Sequence, residues 1–357
     1  MNTTLELSEI DSKIGQLFMI GIPGPRLDDV TVTLIRDYNP CGVILFARNI
    51  VDPIQVAMLC RDLQETADRY HERPLFLAVD QEGGRVARLR EPFTIFPGNS
   101  AIGMDDQPEE RAEEFGLVTA REMKLVGLNM DLAPVVDVQV GEPEKHLEGR
   151  TFGEDPEMVG RLAGVVVRTL QENGVMAVAK HFPGLGRTTL DPHVHLPRIE
   201  VDWEEMEAVN LPPFREAIRN QVSAVMTSHA IYPALDPDKP ATLSPAILKD
   251  LLRDEMAFDG PVITDDLEMG AIAEQWGVAE GAADAFEAGA DILLICKDQG
   301  HLPDSFKCIR SRLLQGVIPY QRLQQSCERI SEARKKYLGR IEEISLSKVK
   351  EYFKLDA

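Results

Sequence analysis

The chain has 357 residues, 44% of them apolar, enough for one large barrel or two modest domains around a sizeable core. Its formal net charge of -21 argues against a nucleic-acid partner and an anionic membrane surface. No apolar run approaches the roughly 20 residues that cross a bilayer, and the stretch Met1 to Ser12 lacks a basic region followed by an apolar core.

Short apolar runs alternate with longer amphipathic segments along the chain. The runs Gln16–Ile22, Gly42–Phe46, Leu75–Val79, Met130–Leu132, Val175–Ala179, Ala224–Thr227, Val262–Thr264 and Asp291–Ile295 predict strands. Helical patterns lie between them at Pro53–Tyr70, Pro108–Val126, Pro156–Asn173, Trp203–Asn220, Ser244–Asp254 and Met269–Ala288. Asp155-Pro156 and Ser244-Pro245 each put a capping side chain before a proline at a helix start. Gly174 ends a helix where the Val175 run begins. About eight β/α units predict an α/β fold, a (β/α)8 TIM barrel. A doubly wound open sheet competes, because one sequence does not reveal strand order. The expected organisation is a single domain, 1–357, with a core at about 10–300. A charged, helical tail at about 301–357 is expected to pack outside the barrel.

Cys41, Cys60, Cys296, Cys308 and Cys327 are scattered and odd in number, so they read as reduced thiols in a cytoplasmic protein. They and the two tryptophans, Trp203 and Trp276, are most simply packing residues.

Polar residues collect at the ends of the predicted strands. Asp80 follows the third, Lys180-His181 the fifth, Ser228-His229 the sixth and Asp265-Asp266 the seventh. In a barrel these ends share the rim where substrates bind. Asp80 could accept bonds from sugar hydroxyls, and Arg88, past the Gly83-Gly84 turn, could hold a hydroxyl or carbonyl oxygen. Isolated from the rest, that stretch would be a turn with surface ion pairs. Arg150 lies in a glycine-bounded loop before a helix. Asp265 and Asp266 point to opposite sides of an extended segment; Asp265 is expected at the mouth and Asp266 as a cap.

The segment 180–197 holds two glycines, three prolines, three histidines and one aspartate, a content rarely found in a plain linker. Asp191 and His193 sit two apart with Pro192 between them. A carboxylate beside an imidazole can orient it and hold its proton, as general acid/base chemistry requires. His193 and His195 also have the spacing of a metal-binding pair, but they lie in a long loop and not at a strand end.

Six stretches together resemble glycoside hydrolase family 3, in its β-N-acetylhexosaminidase branch: GVILFARN (42–49), AVDQEGGRVARL (78–89), GRTFGEDP (149–156), KHFPGLGRTTLDPHVHLP (180–197), MTSHAIYPALDPDKPATLS (226–244) and VITDDLEMGAI (262–272). They occur in the family's order. The resemblance implies a (β/α)8 barrel and a retaining hydrolase with Asp265 as nucleophile, His193 as acid/base and Asp191 as its dyad partner. It places Asp80, Arg88, Arg150, Lys180 and His181 around an N-acetylglucosamine ring. It implies the single-domain cytoplasmic form that acts on muropeptides, with a small carbohydrate as its only partner and no metal or organic cofactor. A monomer is the expectation. Leu185 stands where the family usually has a second histidine, and Pro192 where it usually has serine.

The mechanism implied needs an ionised nucleophile on one side of the anomeric carbon and an acid on the other. Imidazole, with an ordinary pKa of about 6.5, can serve as acid and then as base near neutrality. Three alternatives remain: a phosphorylase with phosphate as acceptor, a metal-dependent amidohydrolase, and a non-catalytic sugar-binding protein.

Overall fold

The structure is a computed structural model that describes residues 3–339 and 343–355. Met1 and Asn2, and residues 340–342 and 356–357 of the expected tail, lie outside the described residues. Eight parallel strands form a closed barrel: β1 (Phe18–Gly21), β2 (Gly42–Leu45), β3 (Phe76–Val79), β4 (Met130–Asp131), β5 (Met176–Phe182), β6 (Ala224–Thr227), β7 (Val262–Asp266) and β8 (Ile292–Ile295). Each strand pairs with its neighbour in the sequence, and β8 returns to β1 through Phe18 opposite Leu293. Closure in chain order eliminates the open sheet. The fold is the (β/α)8 barrel that the alternation predicts.

Each strand is buried on both faces, which is why it reads as a short continuous apolar run. The helices between strands have one apolar stripe. In Pro156–Glu172 it includes Val159, Leu162, Ala163, Val166, Val167 and Leu170, all fully buried. Asp155 caps this helix by accepting from the Glu157 N–H at 3.0 Å. The Ser244 hydroxyl accepts from the Ile247 N–H at 3.3 Å at the start of Ala246–Glu255. Both are the predicted starts.

Two helical segments differ from expectation. Met269–Ala288 is two helices, Gly270–Ala273 and Val278–Ala288. Gly277 separates them with φ +73°, a left-handed conformation that a helix interior does not accommodate. Trp203–Asn220 contains a wide turn at Met206–Asn210, where the Leu211 N–H donates to the Met206 carbonyl. Pro212 and Pro213 follow and supply no N–H, which loosens the usual ladder there. Trp203 is 41% exposed, so it is not a packing residue, whereas Trp276 packs on the core. Cys41, Cys60 and Cys296 are buried and Cys308 and Cys327 half-buried, all five without disulfides.

The tail helix Tyr320–Tyr337 packs across the bottom of the barrel, held by one buried carboxylate. Asp291 enters β8 with its side chain fully buried. It accepts from Arg253 at 2.5 Å, Arg322 at 3.1 Å, Arg329 at 3.3 Å, the Ser326 hydroxyl at 2.5 Å and the Val262 N–H at 3.0 Å. Burial opposes its ionisation, but the three guanidinium groups outweigh it and hold its pKa below the ordinary carboxylate value. Asp291→Ala would strand three cations, so it is expected to cost about 3–5 kcal/mol in chemical denaturation. A loss below about 1 kcal/mol would mean that the tail is held by its other contacts, such as Arg334 to Gln16 and to the Pro74 carbonyl.

Candidate active site

The C-terminal ends of the strands surround a cavity of about 490 Å³. All eight site residues expected from the sequence line it: Asp80, Arg88, Arg150, Lys180, His181, Asp191, His193 and Asp265. A larger hollow, about 620 Å³, opens at the opposite end of the barrel beside the tail helix, with no histidine in its lining.

Lys180 is the centre of the charged floor. Its side chain is 2% exposed, and its ammonium donates to Asp80 at 2.8 Å and lies 2.7 Å from Glu82. Arg150 donates to both Glu82 oxygens at 2.8 Å, in a bidentate fork. Arg88 reaches the other Asp80 oxygen at 3.4 Å. Burial disfavours charge on Glu82, but Arg150 and Lys180 outweigh it and drive its pKa far below the ordinary value. Burial likewise disfavours charge on Lys180, and Asp80 and Glu82 raise its pKa against that. Glu82 thus stabilises the charged forms of Arg150 and Lys180, and they stabilise its own. Asp131, underneath, is the exception: burial raises its pKa well above the ordinary value.

Lys180 and His181 are consecutive, yet both line the cavity. The register of β5 against β6 shifts between Ala179 and Phe182, which breaks the usual alternation of side chains. Asp137 orients His181 by accepting from Nδ1 at 2.8 Å, which leaves Nε2 for the cavity. The same carboxylate accepts from the Leu185 N–H at 2.7 Å. The Leu185 side chain is buried and lines the cavity.

A second register shift, between Ile263 and Asp266, brings both Asp265 and Asp266 to the cavity. The expectation that they part to opposite sides therefore holds incompletely. Asp266 does cap the following turn, accepting from the Glu268 N–H at 3.1 Å. Asp265 accepts from the Asp266 N–H at 2.8 Å. Burial raises the pKa of Asp265, but His181, His229, that N–H and Lys180 outweigh it, and the net direction is down. His229 donates from Nε2 to the Asp266 carbonyl at 3.0 Å, and burial lowers its own pKa. The Asp266 N–H, as a hydrogen-bond donor, and the Lys180 charge both favour the Asp265 carboxylate.

Asp191 and His193 lie higher, on the loop after β5. Asp191 accepts from His193 Nδ1 at 2.7 Å and from its backbone N–H at 2.9 Å. The His193 side chain is 62% exposed. Burial raises and the His193 groups lower the Asp191 pKa, with a net fall. His195 is absent from the cavity lining, and no group of three or more metal-ligating side chains occurs among the described residues.

Four contributors are missed or only partly read from the sequence. Glu82 shares a side of the Asp80-Gln81-Glu82 segment with Asp80, a spacing that could have flagged it. Asp137 is a lone carboxylate in the apolar run 132–138, another readable signal. His146 lies with its ring centroid 6.5 Å from that of His193 and its Nδ1 against Glu144. His229 was legible only as a strand-end residue. No local pattern marks His146.

A parallel barrel whose C-terminal mouth combines an ionic floor, a strand-end carboxylate and a carboxylate–imidazole pair defines a class of barrel with an enzyme-like cleft. Residues 9–333 match the Glycosyl hydrolase family 3 N terminal domain, and the chain belongs to glycosyl hydrolase family 3. It is 38% identical over 281 residues to a beta-hexosaminidase of Pseudomonas aeruginosa, covering 79% of this chain and 82% of that protein. It is 37% identical over 278 residues to beta-hexosaminidase A of Pseudoalteromonas piscicida, covering 73% of this chain but only 46% of that protein's length. Among solved structures, it resembles a family 3 beta-N-acetylglucosaminidase from Paenibacillus sp. str. FPU-7 with a TM-score of 0.89 at 36% identity, covering 96% of this chain and 67% of that one. A beta-N-acetylhexosaminidase from Beutenbergia cavernae superposes with a TM-score of 0.85 at 30% identity, covering 91% of this chain and 98% of that one.

Asp266 offers a pH test of these electrostatics. Burial, with the charges of Glu268 and Asp265, raises its pKa from 3.8 to about 7. The folded state thus holds this proton more tightly than the unfolded chain does. Its contribution to stability is present at low pH and is lost as pH rises from about 3.8 towards about 7. Asp266→Asn removes that loss. The melting temperature of the variant relative to wild type is expected to rise between pH 5 and pH 8; a constant offset would contradict the assignment.

Proposed function

We propose that this chain is a retaining β-N-acetylhexosaminidase that removes terminal β-linked N-acetylglucosamine from muropeptides derived from peptidoglycan. The observation that carries this reading is the sharing of one cavity by Asp265, the Asp191–His193 pair and the Lys180 cluster. Relatives named beta-hexosaminidase and beta-N-acetylglucosaminidase support the same substrate class.

In this reading Asp80, Arg88, Arg150, Lys180 and His181 hold the sugar. The Asp265 carboxylate attacks the anomeric carbon as the bond to the leaving oxygen breaks, and that oxygen takes a proton from His193 Nε2. The product of this step is a covalent glycosyl-aspartate. Water then gives a proton to His193 and attacks the same carbon, freeing Asp265. Asp191 keeps the imidazole oriented by accepting from its Nδ1. The reaction requires no metal or organic cofactor.

The reading extends to the whole chain: one barrel domain over 1–357 with a helical tail, monomeric and cytoplasmic. Among the described residues no helix is long and apolar enough to cross a membrane.

Asp265→Asn is expected to lower turnover by several orders of magnitude while N-acetylglucosamine binding stays nearly intact, checked by kinetics and calorimetry. Turnover near the wild-type rate would move the nucleophile elsewhere. His193→Ala is expected to lose far more on a disaccharide than on a p-nitrophenyl glycoside, because p-nitrophenolate departs with little help. A glycosyl-enzyme should accumulate on Asp265 with the aryl substrate and be visible in intact mass. Equal losses on both substrates with no trapped adduct would remove His193 from the acid/base role. Running the wild-type reaction in phosphate and finding a sugar 1-phosphate would replace water by phosphate as acceptor.

A further inference from the structure

The loop bearing His193 is tied to the turn bearing Asp265. Gly270 and Ala271 open the short helix Gly270–Ala273, just after β7. The first N–H groups of a helix have no acceptor within it. Here the Gly270 N–H donates to the His193 carbonyl at 3.0 Å, and the Ala271 N–H to the Pro192 carbonyl at 3.2 Å. These two bonds seat the loop's backbone directly on the segment that follows Asp265 and Asp266.

The seating depends on the absence of a side chain at position 270. A Cβ there would lie 2.8 Å from the Val194 carbonyl oxygen, 3.0 Å from that of His193 and 3.1 Å from the Val194 carbonyl carbon. All three are backbone atoms of the loop, so a side chain at 270 cannot be accommodated by turning a rotamer. The loop itself must shift. Position 270 is within a helix, so an alanine there meets no backbone objection of its own.

We propose that Gly270 is a positioning residue that latches the acid/base loop to the nucleophile-bearing turn and thereby sets how His193 stands relative to Asp265. The inference rests on the acid/base role proposed for His193. Gly270 is not among the residues that line the cavity. Its effect reaches the reaction only through the placement of the imidazole.

The test uses kcat/KM, which reports the first chemical step and not deglycosylation. For Gly270→Ala, kcat/KM on a disaccharide of N-acetylglucosamine is expected to fall by about a hundredfold, the scale of a 1 Å misplacement. On p-nitrophenyl N-acetylglucosaminide it should fall less than about threefold, since that leaving group scarcely uses the acid. Added to His193→Ala, the alanine at 270 should cause no further loss on the disaccharide. A merely structural role would lower both substrates together and would add to His193→Ala, and either result overturns the latch. Parallel losses in His193→Ala alone would instead sink the acid/base reading and, with it, the latch's catalytic purpose. Hydrogen exchange on the wild-type protein provides a readout that needs no folded variant. The Gly270 and Ala271 amides should exchange slowly, because the loop carbonyls accept from them. Exchange at the rate of an open helix start would show the loop unlatched and overturn the proposal.

Discussion

The ammonium of Lys180, held between Asp80 and Glu82, is the contact on which the mouth of the barrel depends. Buried ion pairs add little net stability, because desolvation offsets most of the attraction. What this one fixes is position. It ties the end of β5 to the segment after β3, and the Arg150 fork on Glu82 then draws in the loop that precedes the helix Pro156–Glu172. Three separate stretches of sequence are thereby locked around one floor. Each side chain in it is also turned to a fixed angle, so the floor can present hydrogen-bonding groups without rearranging when a ligand arrives.

The barrel was legible because its physics is local. A strand buried on both faces shows as four or five apolar residues, and a helix with one buried face shows the 3.6-residue stripe. Closure was not legible, since the pairing of β8 with β1 joins Phe18 to Leu293, the first strand of the barrel to the last, and no local pattern records it. The charged residues at the strand ends stood out for the same reason that the strands did, as polar interruptions of apolar runs. Asp80, Lys180 and Asp265 belong to this group. The partition of Asp265 from Asp266 was only partly readable, because alternation assumes a regular strand and the bulge in β7 is a property of the closed sheet. His146 shows the remaining limit. Its place beside His193 comes from two loops meeting in space, and neither loop has a period to betray it.

Two of the carboxylates in contact with an imidazole, Asp137 and Asp191, use the same bond for different ends. Asp137 is fully buried and fixes His181 as part of the rigid floor, with a second bond to the Leu185 amide making the assembly stiff. Asp191 is partly exposed and turns a largely exposed His193. The first pair is suited to recognition, where the angle must hold. The second is suited to proton traffic, where contact with solvent restores the starting state after each event.

That contrast divides the site by inheritance. On the floor, Lys180 and His181 are built into β5, and Asp80, Glu82 and Arg150, on segments outside the barrel strands, are tied to it through one buried ion-pair network. The Asp191–His193 pair belongs to a surface loop joined to the barrel mainly by backbone bonds. A lineage could therefore lengthen, shorten or exchange this loop while the charged floor stays as it was. Under the proposed roles, acid chemistry and sugar recognition are separable modules in this architecture, free to diverge at different speeds.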